Sequence, residues 1–512
     1  MHRRFRVSMW AFCLAGAGLF LNLATVATYV RADEPAATNS EAKATDSADT
    51  AKAAEEAAKQ EAEAEARRKQ AAEEIELLRL FADTFAQIRG NYVKEVSDRE
   101  LMEAAIQGMM SKLDPYSDFI PPTKLDRFRS GVENEFGGIG IQVSTSKGEL
   151  EVISPLVGSP AYKAGISAGD VITAIDGKPT KGVSIDEAVK MMKGPIGTQV
   201  RVMVRHPGED EEDEVALKRA IIRVETVLGD HRNDDDSWNF FLDEEKKIGY
   251  VRISSFGRHT ADELRDALKQ LKADEMKSLV LDLRFNPGGL LSSAIEICDL
   301  FVKEGRIVST SGRNVAEHSW DAHEAGTYSG FPMVVLVNGF SASASEIVSA
   351  CLQDHDRAVV IGERTFGKGS VQNIIDLENG RSALKLTTAG YMRPSGKNIH
   401  RFPDAKDSDE WGVSPNDGFA IKLERDELDL LVKARAKRDL VVKKLASKET
   451  DEPKSDDATE ETSDDAESDA FIDRQLEAAV KYFAEKSSPE QPAAEKSKTD
   501  EAETVAARDE AK

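Results

Sequence analysis

Cysteine is scarce. Cys13, Cys298 and Cys351 are the three in a chain of 512 residues. They have no metal-ligand spacing, and no disulfide framework is visible. Cys298 and Cys351 fall in apolar, helix-like stretches and read as buried small hydrophobes; a bridge between them has no support in the sequence. Positive charge is also in deficit. There are 68 Lys and Arg against 92 Asp and Glu, a net charge of −24, which argues against nucleic acid as a partner. One apolar run stands out, the uncharged residues 7–30 behind the basic start Met1-His2-Arg3-Arg4-Phe5-Arg6. Such a run is a signal peptide or a signal anchor; its basic end stays in the cytoplasm and the rest of the chain is exported. Val30-Arg31-Ala32 fits a small-x-Ala cleavage site loosely, and the run is also long enough to span a bilayer. Cleavage is slightly favoured over an outward-facing tether. Cys13 lacks the preceding small residues that lipid attachment needs.

Much of the negative charge sits in tails. Residues 451–469 (DEPKSDDATEETSDDAESD) are almost all acidic or small and polar, and are expected to stay disordered. Residues 33–72, rich in Ala, Glu and Lys, are expected to form a solvated helix or a spacer. From Glu73 onward, Ile75, Leu78, Phe81, Phe85, Ile88 and Tyr92 recur at helical steps. A second amphipathic helix is predicted over 100–113, and Asp114-Pro115-Tyr116-Ser117 stops it. Helical pairing of this kind points to packing or dimerisation.

Over residues 130–222 the texture changes. Phe136-Gly137-Gly138-Ile139-Gly140-Ile141-Gln142-Val143 is a glycine loop running into an alternating strand, and Asp176-Gly177 is a hairpin-turn signal. A helix over 185–192 and a strand over 199–204 complete the unit. Taken alone, Gly137-Gly138 is a tight turn. The whole stretch, however, resembles a PDZ domain. That resemblance implies that Gly137, Gly138 and Ile139 hold a C-terminal carboxylate on backbone N–H groups, with the peptide adding as a strand beside residues 139–143.

From Lys247 strands and helices alternate: strand 249–254, helix 260–273, strand 278–284 (SLVLDLR), the loop Asn286-Pro287-Gly288-Gly289, helix 290–302, strand 332–338 (PMVVLVN) and a strand from 359. The alternation predicts an α/β core with mainly parallel strands. Strand 332–338 leads into Gly339-Phe340-Ser341-Ala342-Ser343-Ala344-Ser345-Glu346 and a further helix. A serine at such a turn has free N–H groups and the positive end of a helix beside it. The same four residues, Ser343 to Glu346, also spell a capping box, and alone that is the stronger reading. Lys368 stands amid small and apolar neighbours in Thr365-Phe366-Gly367-Lys368-Gly369-Ser370-Val371-Gln372. Gly369 occupies the place where a phosphate loop needs Ser or Thr, so a nucleotide reading fails. An ordinary surface lysine is the remaining alternative.

Together these stretches resemble the C-terminal processing peptidases, the tail-specific proteases of family S41, over about residues 73–435. The resemblance implies a ClpP/crotonase-like α/β core with an inserted PDZ domain. It puts the nucleophile on Ser343, the general base on Lys368 and a lysine-orienting glutamine on Gln372. It puts the oxyanion donors on the backbone N–H groups of Ala344 and Gly288. No metal or organic cofactor is implied. Lysine acts as a base only when neutral, so burial must lower its pKa from about 10.4. It then takes the serine proton and hands it to the leaving amine, by way of an acyl-enzyme. His355, the histidine nearest the serine motif, is the rival base, and His400 is read as structural.

The expected layout is a signal peptide or anchor over 1–32, a spacer over 33–72, a helical region over 73–129, the PDZ domain over 130–222, the peptidase core over 223–446, an acidic insertion over 447–469, a C-terminal helix over 470–487 and a tail over 488–512. The acidic insertion leaves the docking of that last helix open. The expected partners are protein or peptide substrates with free C-termini; a membrane tether and a homodimer through the N-terminal helices are left open. The expected location is extracytoplasmic: periplasmic, soluble or anchored to the inner membrane. A catalytically inactive exported scaffold that binds C-terminal peptides is the rival function, and an outward-facing adaptor a third.

Overall fold

The computed structural model describes residues 42–146, 148–440 and 471–487, with side chains of the first helix from residue 56. The expectations for residues 1–32, for the acidic run 451–469 and for the tail 488–512 lie outside the described residues. The chain divides into two units after Asp98. In the first, Ala42–Asn91 is one helix, so most of the Ala/Glu/Lys-rich stretch and the periodic stretch are continuous. Both are built from strong helix formers. Ile75, Leu78, Phe81 and Ile88 are exposed along it. No helix among the described residues is long and apolar enough to cross a membrane.

The core of the second unit is a sheet whose strands Ile248–Ile253, Ser278–Asp282, Met333–Val337 and Val359–Gly362 pair in parallel in that order. Strands covered on both faces have no polar side, which is why they read as unbroken apolar runs. Met333–Val337 is buried at every position. Helices Thr260–Ala273, Leu291–Asp299 and Ala344–Asp354 contribute to the main apolar cluster on one face. Cys298 and Cys351 are free thiols buried in that cluster. The last helix, Arg474–Ser487, covers the other face with Ala479 and Phe483, so it docks despite the insertion before it.

A second sheet runs Asp118–Ile120, Ser382–Met392, Arg306–Gly312, Val315–Asp321, with Ser370–Leu377 also paired to Ser382–Met392. Asp118–Ile120 lies in the stretch expected to be helical. Three residues carry no period of their own, and their partners Ala383 to Lys385 are distant in sequence.

The PDZ-like unit leaves the core on strand Glu135–Gly138 and returns on Ala220–Arg223, and the two strands pair antiparallel. Between them is a sheet ordered Ile141–Ser146, Glu149–Pro155, Val171–Ile175, Gln199–Arg205, Glu212–Lys218. Asp176 (φ 46°) and Gly177 (φ 73°) form the expected hairpin turn, since both positions need the left-handed region.

One buried ionic cluster ties the sheet to both C-terminal helices. Asp282 and Arg284, at the end of Ser278–Asp282, are almost fully buried. The Arg284 guanidinium donates to Asp282, to Asp473 (2.9 Å) and to Gln475 (2.9 Å). Arg435, from helix Arg425–Asp439, also donates to Asp282. The Tyr250 hydroxyl adds a bond of 2.8 Å. Burial alone would raise the Asp282 carboxyl; the two guanidiniums overcome it and hold it below the usual range. A carboxyl lowered on folding stabilises above its unfolded pKa, and that contribution is lost as pH falls through the folded value. Arg284→Met should therefore lower stability by about 3–5 kcal/mol, because it strands a buried charge. Urea unfolding followed by tryptophan fluorescence reads this; a wild-type midpoint would contradict it.

Candidate active site

Strand Met333–Val337 ends at a tight turn that starts helix Ala344–Asp354. Ser343 is the residue on the corner, at φ 57° and ψ −113°. A non-glycine residue there is strained by about 1–3 kcal/mol and persists only if its surroundings hold it. Here they do. The Ser343 N–H donates to Glu346 Oε2 at 2.8 Å. Ala342 N–H donates to the Asn286 carbonyl at 3.0 Å. Neighbouring Ser341 and Ser345 are fully buried and donate to the carbonyls of Leu283 (2.8 Å) and Asn286 (2.9 Å). Ser341 and Ser345 thus stitch the corner to the Leu283–Gly289 loop. The Ser343 side chain makes no helix-cap hydrogen bond. The half of the capping box that forms a hydrogen bond is its glutamate, which accepts the Ser343 N–H. The Ser343 hydroxyl interacts with the Tyr391 phenol, whose pKa burial pushes up to about 12.

Glu346 is the electrostatic centre of the site. It is fully buried. Oε2 accepts the backbone N–H of both Ser343 and Lys368, each at 2.8 Å. Oε1 accepts the Thr365 hydroxyl and the Gly367 N–H, each at 2.6 Å. Burial pushes its carboxyl up, while these four donors favour the charged form. The serine corner and the lysine loop are therefore joined on one carboxylate. In the sequence Glu346 is legible only as a cap, because its partners at 365–368 lie on another element. Gly367 (φ 87°) must be glycine, since a Cβ would lie 2.6 Å from that of Arg401.

The Lys368 pKa is lowered, chiefly by burial and secondly by Lys385, with Glu346 opposing. Its amine lies over the Tyr116 ring, 5.1 Å from the centroid. It makes no hydrogen bond to Ser343 or to Gln372. Gln372 departs from the expected orienting role in this arrangement. Its amide donates to the Ser370 hydroxyl (2.9 Å) and to Thr387 (3.3 Å). The physical reason is a register shift between Val371 and Gln372, which sets Gln372 opposite Thr387.

Gly288 is a second correction. Its N–H is committed to Asn286 Oδ1 at 2.8 Å, so it is not an open oxyanion donor here. Its function is close approach: at φ 98°, a Cβ would lie 2.7 Å from Ser343 Cβ and 2.9 Å from the Ala344 nitrogen. Ala344 opens the helix, where N–H groups have no intrahelical partner. His355 stands at the opposite end of that helix, about 16 Å along it, and its Nε2 meets the Arg306 carbonyl at 2.7 Å. It is no base for Ser343. His400 lies beside the lysine loop: a Cβ on Gly369 would come 2.3 Å from its nitrogen.

The expected carboxylate loop also shifts. Gly137 and Gly138 are strand residues paired with Ile221 and Ala220. The Ile139 carbonyl accepts from Ala161, and its side chain enters the PDZ-like core. The left-handed residue is Gly140 (φ 79°), where a Cβ would strike Ser159. The Ile139–Gly140 turn heads strand Ile141–Ser146. That strand is an edge of its sheet, with helix Ile185–Met192 packed against it. Among the described residues no cluster of His, Cys, Asp or Glu has the arrangement to hold a metal.

Residues 247–409 match the family model for peptidase family S41, residues 151–205 a PDZ domain, and residues 29–122 the activating protease CtpB N-terminal domain. The carboxy-terminal-processing protease of Bartonella bacilliformis is 43% identical over 325 residues, which cover 62% of this chain and 71% of that protein. The carboxy-terminal processing protease CtpA of Bacillus subtilis is 37% identical over 319 residues, 62% of this chain and 65% of its own length. The carboxyl-terminal-processing protease of Synechocystis is 37% identical over 322 residues, 61% of this chain and 72% of that protein. The chain belongs to peptidase family S41, among the carboxy-terminal-processing proteases that carry a PDZ domain.

Proposed function

We propose that this chain is an exported serine endopeptidase that cuts proteins near or from their C-terminal tails with a Ser343–Lys368 dyad, its PDZ domain reading the substrate terminus. The observation that supports the dyad most is the strained Ser343 corner, whose hydroxyl is not spent on the helix and whose N–H shares Glu346 Oε2 with the Lys368 N–H. Neutral Lys368 takes the Ser343 proton as Oγ bonds to the scissile carbonyl carbon. The negative charge gathers on the carbonyl oxygen, beside the N–H group of Ala344 at the start of its helix. Collapse breaks the C–N bond, and the lysine returns its proton to the leaving amine. Water then repeats the sequence on the acyl-enzyme. Burial favours the neutral lysine this needs.

In the PDZ domain, the substrate tail adds to the free edge of Ile141–Ser146, its carboxylate at the Ile139–Gly140 turn. Amidating the terminus of a tailed peptide should then lower kcat/KM by about 10–100-fold, the value of charge-assisted hydrogen bonds. Steady-state cleavage of the matched pair measures it; equal rates would remove the terminus-reading arm and leave the dyad standing. An inactive scaffold would bind the free peptide and cut neither. Export through residues 1–32 and pairing through the exposed apolar stripe of Ala42–Asn91 belong to the same reading. Cell fractionation and sedimentation of the purified protein decide them.

A further inference from the structure

We propose that Tyr116 is a positioning residue for Lys368: its ring holds the lysine amine in a withheld place, off the Ser343 hydroxyl, and displacement of the ring releases it. The inference rests on the Ser343–Lys368 reading.

The amine is on the ring and makes no hydrogen bond to Ser343, whose hydroxyl interacts with Tyr391 instead. Cation–π attraction of this kind biases a two-position equilibrium by about two- to thirtyfold. It is a brake, not a block. The turn that carries Tyr116 is tightly held. The Asp114 carboxylate accepts the N–H groups of Tyr116 (2.7 Å) and Ser117 (2.8 Å), and the Ser117 hydroxyl (2.8 Å). Through Thr387 the same turn reaches Gln372: the Thr387 hydroxyl donates to Asp114 (3.3 Å) and accepts from the Gln372 amide (3.3 Å). One turn therefore engages both the lysine and the glutamine expected to orient it. That the dyad lysine and the glutamine beyond it are drawn to a single turn is not explained by packing of the turn alone.

Room exists for the ring to move. Tyr116 lines a cavity of about 510 Å³ with Asp114 and Lys385, and another of about 250 Å³ with Gly339, Gly367 and Trp411. A substrate segment entering either cavity meets the ring. The charged groups that face Lys368 are Lys385 and Glu346, and those that face Tyr116 are Glu346 and Asp114.

The test is cleavage of an unstructured reporter peptide by the full chain carrying Tyr116→Leu or Tyr116→Phe, each also with Ser343→Ala. Tyr116→Leu removes the aromatic face and should raise kcat/KM by about two- to thirtyfold. Because the ring favours the ammonium, its loss should also move the rising limb of the pH profile to lower pH. Tyr116→Phe keeps the face and should match wild type on both counts. No rise in Tyr116→Leu, a fall, or the same change in both variants overturns the proposal. Activity that survives Ser343→Ala would instead overturn the dyad itself, so the two failures are told apart.

Discussion

Ser343→Ala should abolish peptide cleavage, a loss of about 10⁶-fold in kcat, while Ser341→Ala and Ser345→Ala keep the chemistry. The three serines stand two residues apart and look alike in sequence. The fold separates them. Ser341 and Ser345 spend their hydroxyls on the carbonyls of Leu283 and Asn286. Ser343 has the corner backbone and spends none on its helix. Loss of the Ser341 hydroxyl takes away the acceptor of the Asn338 N–H, which costs about 1–3 kcal/mol of stability, whereas loss of the Ser345 hydroxyl leaves the Asn286 carbonyl with the Ala342 N–H and costs about 0.5–1.5 kcal/mol. The readout is thus a split: activity lost at 343, thermal stability lost at 341 and 345. Cleavage at the wild-type rate by Ser343→Ala would sink the mechanism.

Glu346→Gln should lower kcat by about 10²-fold or more, with KM little changed. Four donors converge on the two carboxylate oxygens. An amide has one oxygen and presents its NH₂ to two of those donors, so one pair must separate. If Oε2 is replaced, the Ser343 and Lys368 backbones lose their common anchor, and displacement of a reacting group by about 1 Å costs about that factor. The pH profile carries an opposite sign. The Glu346 charge raises the Lys368 pKa against the effect of burial. Without it the lysine loses its proton more readily, so the rising limb should move to lower pH even as the maximum falls. A lower maximum with an unmoved limb would reduce Glu346 to a packing residue.

What could be read in advance was what is encoded locally. Asp176-Gly177 has the residues its turn requires, and it turned. Thr260–Ala273, Ile185–Met192 and Val359–Gly362 fall where period and flanking residues put them. Apart from the local contact at Gly288, the misses are contacts across the fold. Gly288 looked like an open donor because Asn286, two residues back, gives no sign in sequence that its side chain turns onto it. Gln372 was assigned from family register, whereas its bonds follow a strand-pairing shift. Tyr116 was part of a helix stop, and only the pairing of Asp118–Ile120 with Ser382–Met392 brings that stop to the lysine. The choice of the middle serine rests on resemblance; what the fold adds is that Ser343 alone of the three serines has a left-handed φ.

Strands Glu135–Gly138 and Ala220–Arg223 lie side by side where the PDZ domain leaves and rejoins the core. Paired strands are about 4.8 Å apart. To the peptidase fold, more than eighty residues are thus one oversized hairpin loop, and closing a loop becomes only slowly more costly as it lengthens. The core meets this module at two adjacent backbones and at the hydrogen bond from the Tyr162 hydroxyl to Asp236. An insert of different size that presents the same two ends would leave the rest of the ladder unchanged, so the inserted module can diversify by exchange while the Ser343 corner stays as it is.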